Sequence, residues 1–366
     1  MIVAYVSGHG YGHATRVGEV LRAVRERAPG MPLAVVTSGP ERLYRQAVPG
    51  PFVFRSVECD VGLVQKDAIA IDEEGTVRRW REFESGCREL AVQEARWLRA
   101  AEARLVLADV PPLAFEAAAE AGVPAVGLAN FSWDWIYRHL APRQPALADA
   151  AAAAARAYAK AALLLQLPFA GDLSAFPRRE RIPLVARRPR MSREEARRRL
   201  GVPEKTACVL VSFGGFGMPA FDPGVLGGLD EYHFLMDAPQ GSRLRNATTT
   251  DAARLEVAGM DYRDVVRAAN VVVTKPGYGI VSDAIGAGTR IVYTERGDFP
   301  EYPILVAEMD RYIPCGHVGN ADFLAGLWRP AIESVLARPV PPPPDLSGGE
   351  AAAARLLALA APAPRV

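Results

Sequence analysis

The sequence predicts an α/β protein built as two doubly wound parallel-sheet domains facing a central cleft. Three observations carry that expectation. Short apolar runs alternate with amphipathic stretches, the signature of strand–helix–strand units with right-handed crossovers. The alternation stops in an arginine- and proline-rich stretch and then restarts, so two sheets are expected. The chain has 366 residues, 50% of them hydrophobic, which exceeds one ordinary domain and suffices to fill two cores.

In order, MIVAYV, PLAVVTS, PFVFRSV, RLVLAD and PAVGLAN read as short buried strands. The helical patterns between them are ATRVGEVLRAVRER, GPERLYRQAV, RRWREFESGCRELAVQEARWLRAAEA and PPLAFEAAAEAG, and ALADAAAAAARAYAKAALLL reads as one more helix. FPRRERIPLVARRPRMSREEARRRLG reads as a solvated linker running into a helix, with the domain boundary between residues 170 and 205. ACVLVSFGG, YHFLMD, ATTT, ANVVVTK and TRIVYTE supply a second set of strands. PVPPPPD (339–345) is a stiff spacer before a last helix, GEAAAARLLALAA. The expected units are residues 1–180, residues 181–340, and a tail, 341–366, whose helix packs back on the first unit.

A net charge of +1 argues against a nucleic-acid partner, which needs a basic face. Cys59, Cys87, Cys208 and Cys315 lack the paired spacing of a zinc or redox site. No basic segment precedes an apolar one at the start, and no apolar run is long enough to span a bilayer. A cytoplasmic protein without a membrane span is expected.

The opening turn, SGHGYGHATR (7–16), follows directly on the first strand. Val6 ends that strand and the helix is expected near Ala14. Gly8, Gly10 and Gly12 permit positive φ and close approach of a ligand. His13 stands where the third glycine of a dinucleotide fingerprint would be, which disfavours NAD. At the first turn of a helix, His13 faces the mouth of the sheet, where the helix N-terminus favours a neutral imidazole able to accept a proton. His9 is either a ligand contact or a loop brace. Asp109, ending RLVLAD, either orients that base or caps the helix that follows.

In the second half, VVVTKPGYGIVSDAIGAG places a strand end at Thr274 and a helix from Ile280. Gly277 and Gly279 would open that helix N-terminus to a diphosphate, with Lys275 adding a point charge. Ser282 and Asp283 fall in the first turn, as ligand contacts or as helix-start residues. Gly214 and Gly215, which close VLVSFGG, let phosphate oxygens approach backbone amides or simply form a turn. In NFSWDWIY, Trp133 and Asp134 belong either to the core or to an acceptor pocket.

SGHGYGHATR, DVGLVQKDA (60–68), NFSWDWIY (130–137), VSFGG (211–215) and KPGYGIVSDAIGAGTRIVYTERGDFPEYPIL (275–305) together resemble the GT-B fold glycosyltransferases. The branch they are most similar to is the glycosyltransferase-like N-terminal half of L-arabinokinases, with related bacterial glycosyltransferases. The resemblance implies two facing Rossmann-like domains, the first for an acceptor and the second for a nucleotide diphosphate sugar such as a UDP-sugar. That sugar is a co-substrate, and no cofactor is implied. His13 matches the family's base and Asp109 its orienting acid. Tyr278 joins Gly277 and Gly279 on the donor side, together with an acid one loop later: Glu301, with Glu295 and Asp298 as rivals. His9, Gly10, Gly12, Arg16, Trp133 and Asp134 fall on the side of a small-molecule or glycan acceptor. No Asp-x-Asp motif is present, so metal-independent transfer is expected. A nucleotide-sugar epimerase or hydrolase, or a non-catalytic nucleotide-sugar binder, would use the same fold. The glycine-rich signature of a sugar kinase is not found, so kinase activity is not implied.

Overall fold

The computed structural model describes residues 1–67, 70–214, 220–237 and 244–361. Two wholly parallel sheets dominate it. The first contains β1 (Ile2–Val6), β2 (Leu33–Thr37), β3 (Val53–Ser56), β4 (Leu105–Asp109), β5 (Ala125–Ala129), β6 (Leu163–Gln166) and β7 (Arg179–Arg181), in the order β3-β2-β1-β4-β5-β6-β7. Its helices are α1 (Tyr11–Arg27), α2 (Glu41–Ala47), α3 (Glu73–Ala100), α4 (Pro112–Ala121), α5 (Trp133–Leu140) and α6 (Ala146–Tyr158).

After α7 (Arg193–Leu200), the second sheet contains β8 (Ala207–Ser212), β9 (Tyr232–Met236), β10 (Ala247–Thr249), β11 (Val271–Thr274), β12 (Arg290–Tyr293) and β13 (Cys315–His317), in the order β10-β9-β8-β11-β12-β13. Its helices are α8 (Ala252–Val257), α9 (Tyr262–Ala268), α10 (Tyr278–Ala287), α11 (Glu301–Met309), α12 (Asn320–Leu324) and α13 (Arg329–Leu336). Strands such as IVAYV and VVVT are buried on both faces because helices cover both sides, which is why they read as unbroken apolar runs.

Strand order reverses between β1 and β4 and again between β8 and β11. Helices diverge at such points and leave a crevice beyond the carboxyl ends of the strands. Val6 pairs with Asp109 across the first reversal, and Ser212 with Thr274 across the second. Both crevices open on residues that the sequence singles out.

Three local expectations are corrected. α1 begins at Tyr11, ahead of Ala14, so His13 lies inside its first turn. The alanine-rich helix stops at Tyr158. Leu163–Gln166 form β6 beside β5, since an all-apolar run suits a strand buried on both faces. The basic linker is not solvated throughout. Ile182, Leu184, Val185 and Ala186 are buried in a core that also contains residues of α1, α10 and the last helix, α14 (Gly348–Ala360). α14 packs on α1, with Glu350 3.6 Å from Arg22, and Arg355 reaches Glu180 of β7 at 3.0 Å. Among the described residues no helix is long and apolar enough to cross a membrane.

Candidate active site

The turn after β1, the start of α1 and the carboxyl ends of β8 and β11 line one cleft of about 800 Å³. α1 enters it with Gly10 as its N-cap at φ 111°, a left-handed conformation that glycine tolerates without strain. That turn directs His13 at β4. His13 Nδ1 lies 2.9 Å from Asp109 Oδ1. Because a carboxylate only accepts, the proton sits on Nδ1 and the Nε2 lone pair is left for the cleft that His13 lines. Asp109 is completely buried. Burial pushes its carboxyl up, but Arg16 and His13 more than offset this and hold it below the ordinary carboxylate value.

Arg16, expected at the acceptor, lines the cleft, and its guanidinium nitrogens are engaged by protein partners. Its Nε donates to Asp109 Oδ2 at 2.5 Å, its Nη2 donates to Asp109 Oδ1, and its Nη1 donates to Asn130 Oδ1 at 2.9 Å. Its guanidinium carbon stands 5.2 Å from the centre of the Tyr278 ring, at the start of α10. One turn of helix thus carries both the imidazole and the cation that neutralises its partner, because positions three apart share a face.

The acceptor-side aromatics are partly as expected. Trp133 borders the cleft but is 4% exposed, so it is a wall and not an open stacking platform. Its indole N–H donates to Asp60 Oδ2 at 2.8 Å and its ring stacks on Tyr137. Asp60 also accepts from Ser7 Oγ at 3.1 Å, and His9 Nε2 approaches its carbonyl at 3.3 Å. His9 is therefore both at the cleft and braced. Asp134 does not line the cleft; its carboxylate is buried beside Arg138, and burial raises its pKa. Neither Asp60 nor the cleft-lining Gln65, whose buried Oε1 has no hydrogen-bond partner among the described residues, was assigned a role from sequence. The stretch DVGLVQKDA that holds them was visible, but nothing local fixes where those side chains point.

On the opposite wall, Gly214 (φ 70°), Lys275, Gly277 and Tyr278 line the cleft, and Gly215 lies outside the described residues. Burial and Arg296 push the Lys275 ammonium down to about 7. Gly279 has another reason to be glycine. A Cβ there would sit 2.9 Å from Gly12 Cα, so the N-termini of α10 and α1 meet backbone to backbone. Ser282 is turned away from the cleft and donates to the Gly279 carbonyl at 2.9 Å. Asp283 faces the cleft but is held by both nitrogens of an Arg187 fork. Of the three candidate acids after β12, Glu301 alone lines the cleft, paired with Arg296. Glu295 pairs with His317 at 3.0 Å, and Asp298 with His139 at 2.8 Å. Arg187 escaped the sequence reading because arginine-rich segments are usually solvated, and Arg296 because nothing local in TERGDFPE fixes where its side chain points.

No protein-family model matches the chain. It is 32% identical over 370 residues to L-arabinokinase of Arabidopsis thaliana, covering 95% of this chain and 33% of the relative, so it spans about one third of that protein's length. Among solved structures it is similar to the kitacinnamycin glycotransferase, with TM-score 0.63 and 17% identity over 98% of this chain and 93% of the other. It is also similar to a UDP-glucosyltransferase from Polygonum tinctorium capable of glucosylating indoxyl, with TM-score 0.58 and 15% identity over 98% and 93% of the two chains. A third likeness is to a UDP-glucose:anthocyanidin 3-O-glucosyltransferase in complex with UDP, with TM-score 0.60 and 10% identity over 98% and 94%. By its two facing parallel sheets, and by these likenesses along nearly its whole length, the chain belongs to the GT-B fold family.

Proposed function

We propose that the protein transfers a glycosyl group, without a metal ion, from a nucleotide diphosphate sugar to an acceptor hydroxyl, with His13 as general base. The observation that carries this reading is the 2.9 Å contact of His13 Nδ1 with buried Asp109, at the cleft wall facing the start of α10. Residues 1–180 would hold the acceptor and residues 181–340 the donor. His13 Nε2 takes the hydroxyl proton as the acceptor oxygen bonds to the anomeric carbon. The bond from that carbon to the diphosphate oxygen breaks, and the diphosphate leaves with the electron pair. Backbone amides at the start of α10, the helix dipole and Lys275 offset the charge that develops on it. Glu301 and Gly214, which line the cleft, would meet the nucleotide-sugar, and Gln65 and the Trp133 wall would meet the acceptor. The three solved relatives are transferases in their descriptions, two of them with UDP or UDP-glucose, which supports a UDP-sugar as the first donor to try. No spanning helix is seen among the described residues, in keeping with action in the cytoplasm.

The test is a nucleotide-sugar panel read by thermal shift and then by turnover. A donor at a hundred times its dissociation constant adds about 2.7 kcal/mol of stability. A transferase consumes the donor rapidly only when an acceptor is present. Rapid consumption without acceptor indicates an epimerase or hydrolase, and binding without turnover indicates a sensor; either outcome defeats the proposal.

A further inference from the structure

Resting on the reading of His13 as base, we infer that Arg16 is a positioning residue for the reaction: it aims the Asp109 carboxylate at His13 and cancels that carboxylate's charge. The base is thereby oriented by an ion pair, not by a free anion. A carboxylate held on one side only can rotate about its Cβ–Cγ bond and present either oxygen. Here Arg16 Nε takes Oδ2 at 2.5 Å and Nη2 takes Oδ1, the fork geometry that fixes a carboxylate in its plane. Oδ1 retains room for one further donor, and His13 Nδ1 occupies it.

Arg16 Nη2 stands 3.1 Å from Nδ1. Since guanidinium nitrogens only donate and Nδ1 holds its proton toward Asp109, this approach is that of two donors sharing one acceptor. Arg16 cannot swing away. Asn130 holds its third nitrogen at 2.9 Å, and the Tyr278 ring covers its face.

The electrostatic consequence has a definite sign. A lone carboxylate stabilises an imidazolium, whereas a carboxylate already paired with a guanidinium stabilises it less. The charged and titratable groups around this wall are Asp109 from β4, Arg16 from α1, Tyr44 from α2, Tyr278 from α10, and Glu301 from α11 with its partner Arg296. Phe131, after β5, packs on His13 edge to face and contributes no charge. Removing Arg16 therefore leaves Asp109 as the one anion in contact with the imidazole.

The experiment compares Arg16→Met, Arg16→Lys and Asp109→Asn with the parent protein. It measures kcat and kcat/KM against pH for transfer, and the pH titration and tautomer of the His13 ring by side-chain 15N NMR without substrate. In Arg16→Met the acid limb of kcat/KM should move up by about one pH unit, and the ring should show mixed tautomers. Asp109→Asn should move the limb down. Arg16→Lys should keep the limb near the parent's while kcat stays low, because a point charge neutralises but does not aim. A folded Arg16→Met with an unmoved limb and unmoved His13 resonances overturns the inference. If Arg16→Met does not fold, the opposed predictions for Arg16→Lys and Asp109→Asn decide it: a limb unmoved in Asp109→Asn, or one displaced in Arg16→Lys, counts against it. Should the NMR titration shift while rates ignore it, His13 fails as base but the action of Arg16 on His13 stands.

Discussion

The first turns of α1 and α10 are built on one frame and do different things. Each starts from a glycine N-cap followed by tyrosine and glycine: Gly10-Tyr11-Gly12 and Gly277-Tyr278-Gly279. Each then carries a hydroxyl that bonds back to the second glycine, Thr15 to Gly12 at 3.1 Å and Ser282 to Gly279 at 2.9 Å. The next residue is in each case a buried charge held by a partner from outside the helix, Arg16 with Asp109 and Asp283 with Arg187. The signs are opposite. Between frame and charge, the first helix has His13 where the second has Ile280. Two helix N-termini thus carry the same residue frame, with Gly10 at φ 111° and Gly277 at φ −152°. The side chain following the glycine decides that one wall can accept a proton while the other offers dipoles and the cations Lys275, Arg187 and Arg296.

The largest expected effect breaks the asymmetry. His13→Ala should cut transfer by about a hundred- to ten-thousand-fold, the usual span of general acid–base catalysis, with donor affinity little changed by calorimetry. Asp109→Asn should lose less, since the imidazole remains. Full turnover in His13→Ala would make the two turns chemically equivalent and end the assignment.

Next, Asp283→Ala strips the second turn of its anion and leaves Arg187 without its carboxylate in a nearly buried place. A broken buried pair costs about 3 kcal/mol or more, which urea denaturation would register. A loss below about 1 kcal/mol would mean that Arg187 relaxes into the cleft.

A third pair of variants separates the two glycines of α10. Gly277 has negative φ (−152°), and a Cβ there meets nothing closer than 3.9 Å. Gly277→Val should therefore fold normally and lose donor affinity by filling the phosphate's approach. Gly279→Ala should do the reverse, destabilising by about 1–3 kcal/mol because its methyl meets Gly12 Cα. Equal donor binding by Gly277→Val and the parent would move the diphosphate elsewhere.

The smallest effect is a pH dependence. Lys275 titrates at about 7, so raising pH through that value removes one positive charge from the donor wall. Affinity for a nucleoside diphosphate should then fall by about tenfold, the scale of one charge-assisted hydrogen bond, and in Lys275→Met the fall should vanish. Stability runs the other way. Between about 7 and the ordinary lysine value near 10.4, the unfolded chain binds more protons than the folded one, so this group makes the fold more stable as pH rises.

Much of this was legible in the residues. Apolar runs identified β1, β4, β8 and β11 because strands covered on both faces stay apolar up to their carboxyl ends, and the restart after the basic linker separated the two sheets. β6 was hidden because AALLL continues an alanine-rich helix without punctuation, and only pairing with β5 makes it a strand. The linker misled for a related reason: arginines signal solvent, yet Arg187 and Arg190 bring their charges to Asp283 and Asp264, and Leu184 and Val185 just before them are buried.

By itself, then, the sequence determined where backbone must be permissive and where chemistry is available: glycines at strand ends, an imidazole in a first turn, an acid closing a strand. Those are local properties, set by φ, by helix geometry and by side-chain type. Which charges cancel was decided by tertiary structure alone. Arg16 and Asp109 stand far apart in the chain and meet because β1 and β4 are neighbours at the strand-order reversal. Gly12 and Gly279 meet only when the two sheets face one another. Pairing of this kind depends on distances between elements, which residue type and spacing along a chain do not encode.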